Sequence, residues 1–405
     1  MGLLPQRNVY PVFFLFLFFA APIHSTSPST ILWTAPAILL SALMIAWAAE
    51  SAQYFVAQGF ALAILAWMQT LPEFAVEAVL AWKQQVPLLL ANLTGALRLL
   101  TGLGWPVIFF TAAMSHRREN GKPLNAIRLH RHHSVEVVGL LVPLIYIAIV
   151  SAKGTLTIYD GAVLIVIYAA YLIILTKLPP EQSESIEDLE VVPRTIVKSP
   201  KVLRVTMITA LFAAGGFLIY YAAEPFLASL LALATLMGVP SFVFIQWVAP
   251  LVSEFPEVAS TIYFARTVER APMALMNMVS SNINQWTLLV AMLPIVLSLS
   301  VGSPTAIQFD GEQKLELLMT LGQALVGLMF LINMELTWWE ATVLFLLFFV
   351  PFFHPAAARA VTAAYFVWAA IELVRMILGR GKLTAFVNFA ETWKEHVRQS
   401  ASTPR

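Results

Sequence analysis

The sequence contains no cysteine. That absence excludes disulfides, thiolate metal sites and thiol catalysis, and it leaves the redox compartment open. Charge is also scarce, at 12% of residues against 59% hydrophobic, well outside the range of a soluble domain. The strict apolar–polar alternation of membrane strands is missing, which sets aside a membrane barrel. What remains is a series of apolar runs of roughly 17–28 residues, the length needed to cross a bilayer as a helix. The expected fold class is therefore an all-α polytopic membrane protein. Neither a cofactor nor nucleic acid is expected among its partners, of which membrane lipid is the first. The oligomeric state is left open.

Residues 1–30 hold one Arg, a short apolar run over 9–23 and then small polar residues. They are either a signal sequence or an extra N-terminal helix. Helices are expected near 31–49, 55–82, 87–115, 134–151 and 156–177, which makes 31–177 a first set of five. An acidic, proline-bearing cytosolic connector occupies 178–202. A second five-helix set over 203–354 is expected as 203–222, 226–237 with 239–265, 272–300, 315–334 and 338–354. Residues 355–405 add one more helix near 356–379 and a polar tail with an amphipathic helix near 383–400.

Basic residues test this layout. If the 116–133 loop faces the cytoplasm, alternation places 19 of the 24 Lys and Arg inside and four outside (Lys83, Lys153, Lys314, Arg359), with Arg98 inside a helix. Such a bias fits the positive-inside rule and puts the C-terminus in the cytoplasm. The expected location is the plasma (inner) membrane of a prokaryote-type cell.

Within this apolar background one pattern occurs twice, about 184 residues apart. QTLPEFAVEAVLAW (69–82) is followed by ANLTGAL (91–97), and VSEFPEVASTIYFA (252–265) by MNMVSSN (276–282). IAWAAE (45–50) and IYYAAE (219–224) close the first helix of each set. Five crossings per set give the second copy the opposite orientation, an inverted-topology repeat of the kind found in secondary transporters. Carboxylates inside an apolar span are costly and mark function by default.

The chemistry of the pattern is oxygen-rich. Pro72 and Pro256, expected mid-helix, each leave a carbonyl four residues back (Met68, Val252) without its amide partner. Glu73 and Glu257 adjoin those openings. Glu77 lies a turn after Glu73, and Glu254 almost a turn before Glu257. Asn92, Asn277 and Asn282 offer amide oxygens, and Thr70, Ser253 and Ser281 hydroxyls. Carboxylate, amide and hydroxyl oxygens are the ligands of a hard cation such as Ca2+ or Na+. Four converging carboxylates need cations or protons between them. Arg98, deep in the third helix, is expected to act as an internal counter-charge by pairing with one of these acids.

Other polar residues have plainer readings. Asp160 and Glu340 begin late helices, where acids suit the N-terminus. Glu50 and Glu224 sit at helix ends near water. The LHRHHS stretch, with His130, His132 and His133, is expected to be a basic cytosolic turn.

The paired pattern resembles the two α-repeats of the cation/calcium exchanger superfamily, roughly G-T-S-L-P-E followed by G-N-x-x-G-S-N. The second copy keeps Ser253, Pro256, Glu257, Asn277, Ser281 and Asn282; the first keeps Thr70, Leu71, Pro72, Glu73, Asn92 and Gly95. The resemblance spans about 31–354. It implies a secondary antiporter exchanging Ca2+ or a related cation against Na+ or H+ by alternating access, not an enzyme, with Glu73 and Glu257 as central ligands. Glu254 and Glu77 stand where the family usually has Ser, Leu97 replaces the last Asn of the first repeat, and Arg98 follows it. The alternative is a descendant of altered specificity or without transport, acting as a scaffold or regulator.

Overall fold

The computed structural model describes residues 27–52, 55, 70–178, 186, 189–379 and 381–398. The apolar segment at 9–23, the first part of the helix expected over 55–82 and most of the acidic run at 181–190 lie outside the described residues. The first half supplies α1 (Ile31–Ala52), α2 (Leu71–Trp82), α3 (Val86–Asn120), α4 (Ser134–Lys153) and α5 (Ile158–Leu175). A short helix α6 (Val191–Val197) lies in the connector. The second half supplies α7 (Lys201–Met237), α8 (Ser241–Ser253), α9 (Phe255–Ala265), α10 (Ala271–Val301), α11 (Gly311–Leu331) and α12 (Trp338–Phe353). Beyond them come α13 (Ala358–Ile377) and α14 (Thr384–Thr392).

The structure corrects the sequence reading over 203–265. Pro225 does not divide the first helix of the second half, which runs unbroken to Met237. It ends where Gly238 takes a left-handed conformation, φ 66°, the usual helix stop. The run 239–265, expected as one piece, is two helices separated by Glu254.

Four features map one half onto the other with inverted topology. Thr157 and Asp160 form a capping box at the start of α5, and Thr337 and Glu340 form the same box at the start of α12. Gly154 and Met334, each three residues before those threonines, both have positive φ. The α3 helix carries a π segment at Leu100–Gly104, and α10 carries one at Gln285–Leu289. Two small antiparallel ladders complete the symmetry: β1 (Ala126–Arg128) pairs with β4 (Glu335–Thr337), and β2 (Thr155–Leu156) with β3 (Ile307–Gln308). Each ladder joins one loop from each half, so β1 and β4 share one membrane face and β2 and β3 the other. The helix α14 docks on the β1–β4 side, where the Ala385 amide donates to the Ile332 carbonyl at 2.8 Å.

Small residues permit the tightest crossings, as expected where lipid supplies no hydrophobic drive between helices. A Cβ on Gly95 of α3 would collide with the Gln246 carbonyl of α8, and one on Gly161 of α5 would meet the Ala291 carbonyl of α10 at 2.8 Å. The first helices of the two halves pack along each other, with Thr34 Oγ1 and Ser229 Oγ hydrogen-bonded at 3.1 Å.

Candidate functional site

Both Pro-Glu pairs begin helices. Pro72 is the second residue of α2, and Pro256 holds the same place in α9. The expectation of mid-helix prolines is thereby corrected. A proline at the first turn removes an amide that would have no intrahelical partner anyway, so the chain restarts there without penalty. In the second copy the restart directly follows α8, with only Glu254 between the two helices. In the first, Thr70 precedes α2, and Met68 lies outside the described residues. The restart places Glu73 and Glu257 in first turns, where the helix dipole favours negative charge.

The carboxyl groups from the two halves meet. Gln285, first residue of the α10 π segment, donates its single amide nitrogen to Glu73 Oε2 at 2.6 Å and to Glu254 Oε1 at 2.8 Å. The Glu73 and Glu254 carboxyls are close enough to interact directly, as are those of Glu254 and Glu257. Glu257 also meets the Ser281 hydroxyl. Glu77, an electrostatic neighbour of Glu73, accepts from Asn92 Nδ2 at 2.9 Å. Thr70 Oγ1 accepts from Asn284 Nδ2 at 2.7 Å. These acids are shielded from solvent: Glu77 is 0%, Glu73 1%, Glu254 3% and Glu257 7% exposed, so the protein alone must satisfy them.

It does so incompletely. Among the described residues, Glu73 Oε1, Glu77 Oε2, Asn92 Oδ1 and Gln285 Oε1 are buried and have no hydrogen-bond partner. An unmet buried acceptor costs on the order of 1–3 kcal/mol, so several in one place need an explanation. All are oxygens, two from carboxyls and two from amides, which is the donor set of a hard cation. Two carboxyl groups this close, in turn, hold a proton between them unless a cation replaces it. Such an arrangement can hold either a proton or a hard cation on the same atoms.

Not every residue singled out from the sequence faces this cluster. Glu254 and Glu257 were expected on one helical face; the helix break lies between them, and contact comes from the bend instead. Ser253 donates to the Ala249 carbonyl at 3.2 Å, within its own helix. Asn282 receives the Thr101 hydroxyl at 3.2 Å and donates to the Met278 carbonyl at 3.1 Å, tying the π segment of α3 to α10. Asn277 is half-buried, and no contact joins it to the carboxyls among the described residues.

Arg98 departs furthest from expectation. Its Nη1 lies 2.8 Å from Glu316 Oε2 on α11, not against Glu73, Glu77, Glu254 or Glu257. The guanidinium lies 5.5 Å from the Trp247 ring centroid, and its Nε donates to the Thr94 carbonyl. Gln246 donates to the same Glu316 oxygen at 2.7 Å. Gln285, Asn284, Gln246 and Glu316 were missed in the sequence. The first two directly follow the MNMVSSN motif, so polar amides continuing into an apolar span were the available signal.

Asp160 and Glu340 serve their capping boxes, and Glu224 pairs with Lys83 at the end of α2. None of the three reaches the cluster among the described contacts.

Comparison with known proteins supplies independent observations. A family model described as sodium/calcium exchanger protein matches residues 28–177 and 207–354. A crystal structure of the H+/Ca2+ exchanger CAX is similar over 97% of this chain and 96% of its own, with 29% sequence identity and a TM-score of 0.84. The structure of the Ca2+/H+ antiporter protein YfkE shares the fold at 16% identity, covering 88% of this chain and 99% of its own, with a TM-score of 0.57. No curated protein matches by sequence.

Proposed function

The chain belongs to the sodium/calcium exchanger protein family, and on that premise we propose that it is a secondary antiporter exchanging Ca2+ for H+ across the membrane. The observation that carries this reading is the chain of contacts Glu73–Glu254–Glu257, closed by Gln285 and surrounded by orphaned oxygens. Similarity to the H+/Ca2+ exchanger CAX over nearly the whole chain supports the same coupling.

Mechanistically, Ca2+ would be held by carboxyl oxygens of Glu73, Glu77, Glu254 and Glu257, with Asn92 and Gln285 adding amide oxygens. Ca2+ offsets only part of the charge of four carboxylates, so protons stay on the remainder. When Ca2+ leaves, protons occupy the shared positions, and an empty, fully charged cluster is too costly in lipid to cross. That penalty couples the two movements. The Arg98–Glu316 pair is neutral as a unit and leaves this balance unaltered.

Helix starts bearing Glu73 and Glu257, one in each half, suit a site that rocking of the halves would open to either face in turn. The excess of Lys and Arg on the β1–β4 side supports a cytoplasmic location for that side and the C-terminus.

The test is flux into vesicles containing the purified protein. A pH gradient should drive Ca2+ movement, a Na+ gradient should not, and Glu257→Gln should abolish the flux while leaving the protein folded. Movement driven by Na+ alone would replace the proton as coupling ion. Absence of divalent-ion movement under either gradient would refute the antiporter reading.

A further inference from the structure

His130, His132 and His133 lie together on the β1–β4 face, in the turn that leads from β1 into α4. A 3-10 turn over Arg131–His133 brings residues near in sequence onto one side, with ring centroids 4.3–5.5 Å apart. Each ring offers a nitrogen within 4.8 Å of the others. Zinc–nitrogen bonds of about 2.0–2.1 Å in a tetrahedral site require ligands about 3.3 Å apart. The ring nitrogens would need to draw together by up to about 1.5 Å to reach that spacing.

The surroundings suit a cation. His133 is buried, His132 half-buried and His130 exposed, which leaves a path for an ion from solvent. Arg131, between them in sequence, turns away to Glu391 and Glu395 near the C-terminus, at 3.4 and 2.9 Å, so its charge is met there. Within the turn the His130 amide donates to His133 Nδ1 at 3.3 Å, and the His133 amide donates to the His130 carbonyl at 3.1 Å. The first, a long hydrogen bond, holds a ring lone pair that a metal would take instead.

We infer that His130, His132 and His133 form a binding site for a borderline-soft divalent transition metal, of the Zn2+, Co2+ or Ni2+ class, separate from the carboxyl cluster. Three imidazoles and an open position suit such ions, whereas Ca2+ prefers oxygen ligands. The site thus responds to a different ion from the one proposed for transport. Its metal would stiffen the turn on which α14 docks, next to α4, which packs on α10 and α11.

The experiment uses the full-length protein in detergent, stripped with a chelator and carrying Glu257→Gln to disable the carboxyl cluster. Titrated Co2+ should bind one equivalent, give the visible absorption of a tetrahedral nitrogen site, and be displaced by Zn2+ but not by excess Ca2+. His130→Asn, on the exposed ring, and His132→Asn should each weaken Co2+ binding by about tenfold or more, because loss of a supporting hydrogen bond alone costs that much. Failure of Glu257→Gln protein to bind Co2+, or unchanged Co2+ affinity in both histidine variants, would overturn the site. Neither result bears on Ca2+ exchange, which is read separately by flux.

Discussion

Arg98 and Glu316 form a buried ion pair at 2.8 Å that spans from α3 to α11, with side chains 3% and 16% exposed. The two residues come from opposite halves, and Gln246 on α8 adds a third helix to the contact. Breaking such a pair leaves one charge stranded, which costs about 3–5 kcal/mol, whereas replacing both partners is often neutral. Arg98→Met should therefore sharply lower thermal stability in detergent, and Arg98→Met with Glu316→Gln should recover most of it. Equal loss in the single and double variants would show that the pair is not an energetic unit.

Gln285 donates to Glu73 and Glu254 together. Gln285→Leu removes a donor from both carboxyls at once but keeps a side chain of similar size. Ca2+ flux should fall at least tenfold, and the unfolding temperature should drop modestly, since two buried carboxyl oxygens lose their donor at about 1–3 kcal/mol each. A flux equal to that of the unaltered protein would show that Gln285 is only a spacer.

Protons and Ca2+ compete for the same oxygens in the proposed cycle, and the sign of the pH effect follows. Lower pH fills the carboxyls with protons and weakens Ca2+ binding; higher pH strengthens it. Calorimetric Ca2+ titrations in buffers of different ionisation enthalpy should show protons released on binding. Heats that are independent of buffer would mean that no proton leaves.

Gly95 marks the closest approach of α3 to α8, where even a methyl group would collide with the Gln246 carbonyl. Gly95→Ala should cost on the order of 1–3 kcal/mol through overpacking, visible as a lower unfolding temperature. The same change at Gly216, which has open space around it, should be neutral.

Much of the site was legible because charge inside an apolar run is conspicuous. Glu73, Glu77, Glu254 and Glu257 stand out for that reason, and all four join one cluster. Gln285 carries no charge, so the run of amides that signals it does not by itself separate it from Asn282, which bonds Thr101 and the Met278 carbonyl instead. The Arg98 partner was not legible for another reason. Pairing with Glu316 depends on how α3 and α11 lie side by side, which local sequence does not encode. The helix boundaries near proline failed in both directions. Pro225 is carried within a long helix while Pro256 starts one, because in lipid the fate of a proline rests on which neighbours satisfy the freed backbone.

The two ladders have a consequence for how the chain is made. β1 cannot pair until Thr337 has been synthesised, and β2 waits for Gln308. A nascent first half therefore enters the bilayer with two strand edges unfilled, one at each membrane surface. Both of its strands are completed only by the second half, whatever the internal duplication suggests about ancestry. The second half arrives as a template-fitting partner, and both surfaces are sealed only after most of the polypeptide has left the ribosome. Two separately expressed halves would have to find each other in the membrane before either finished folding.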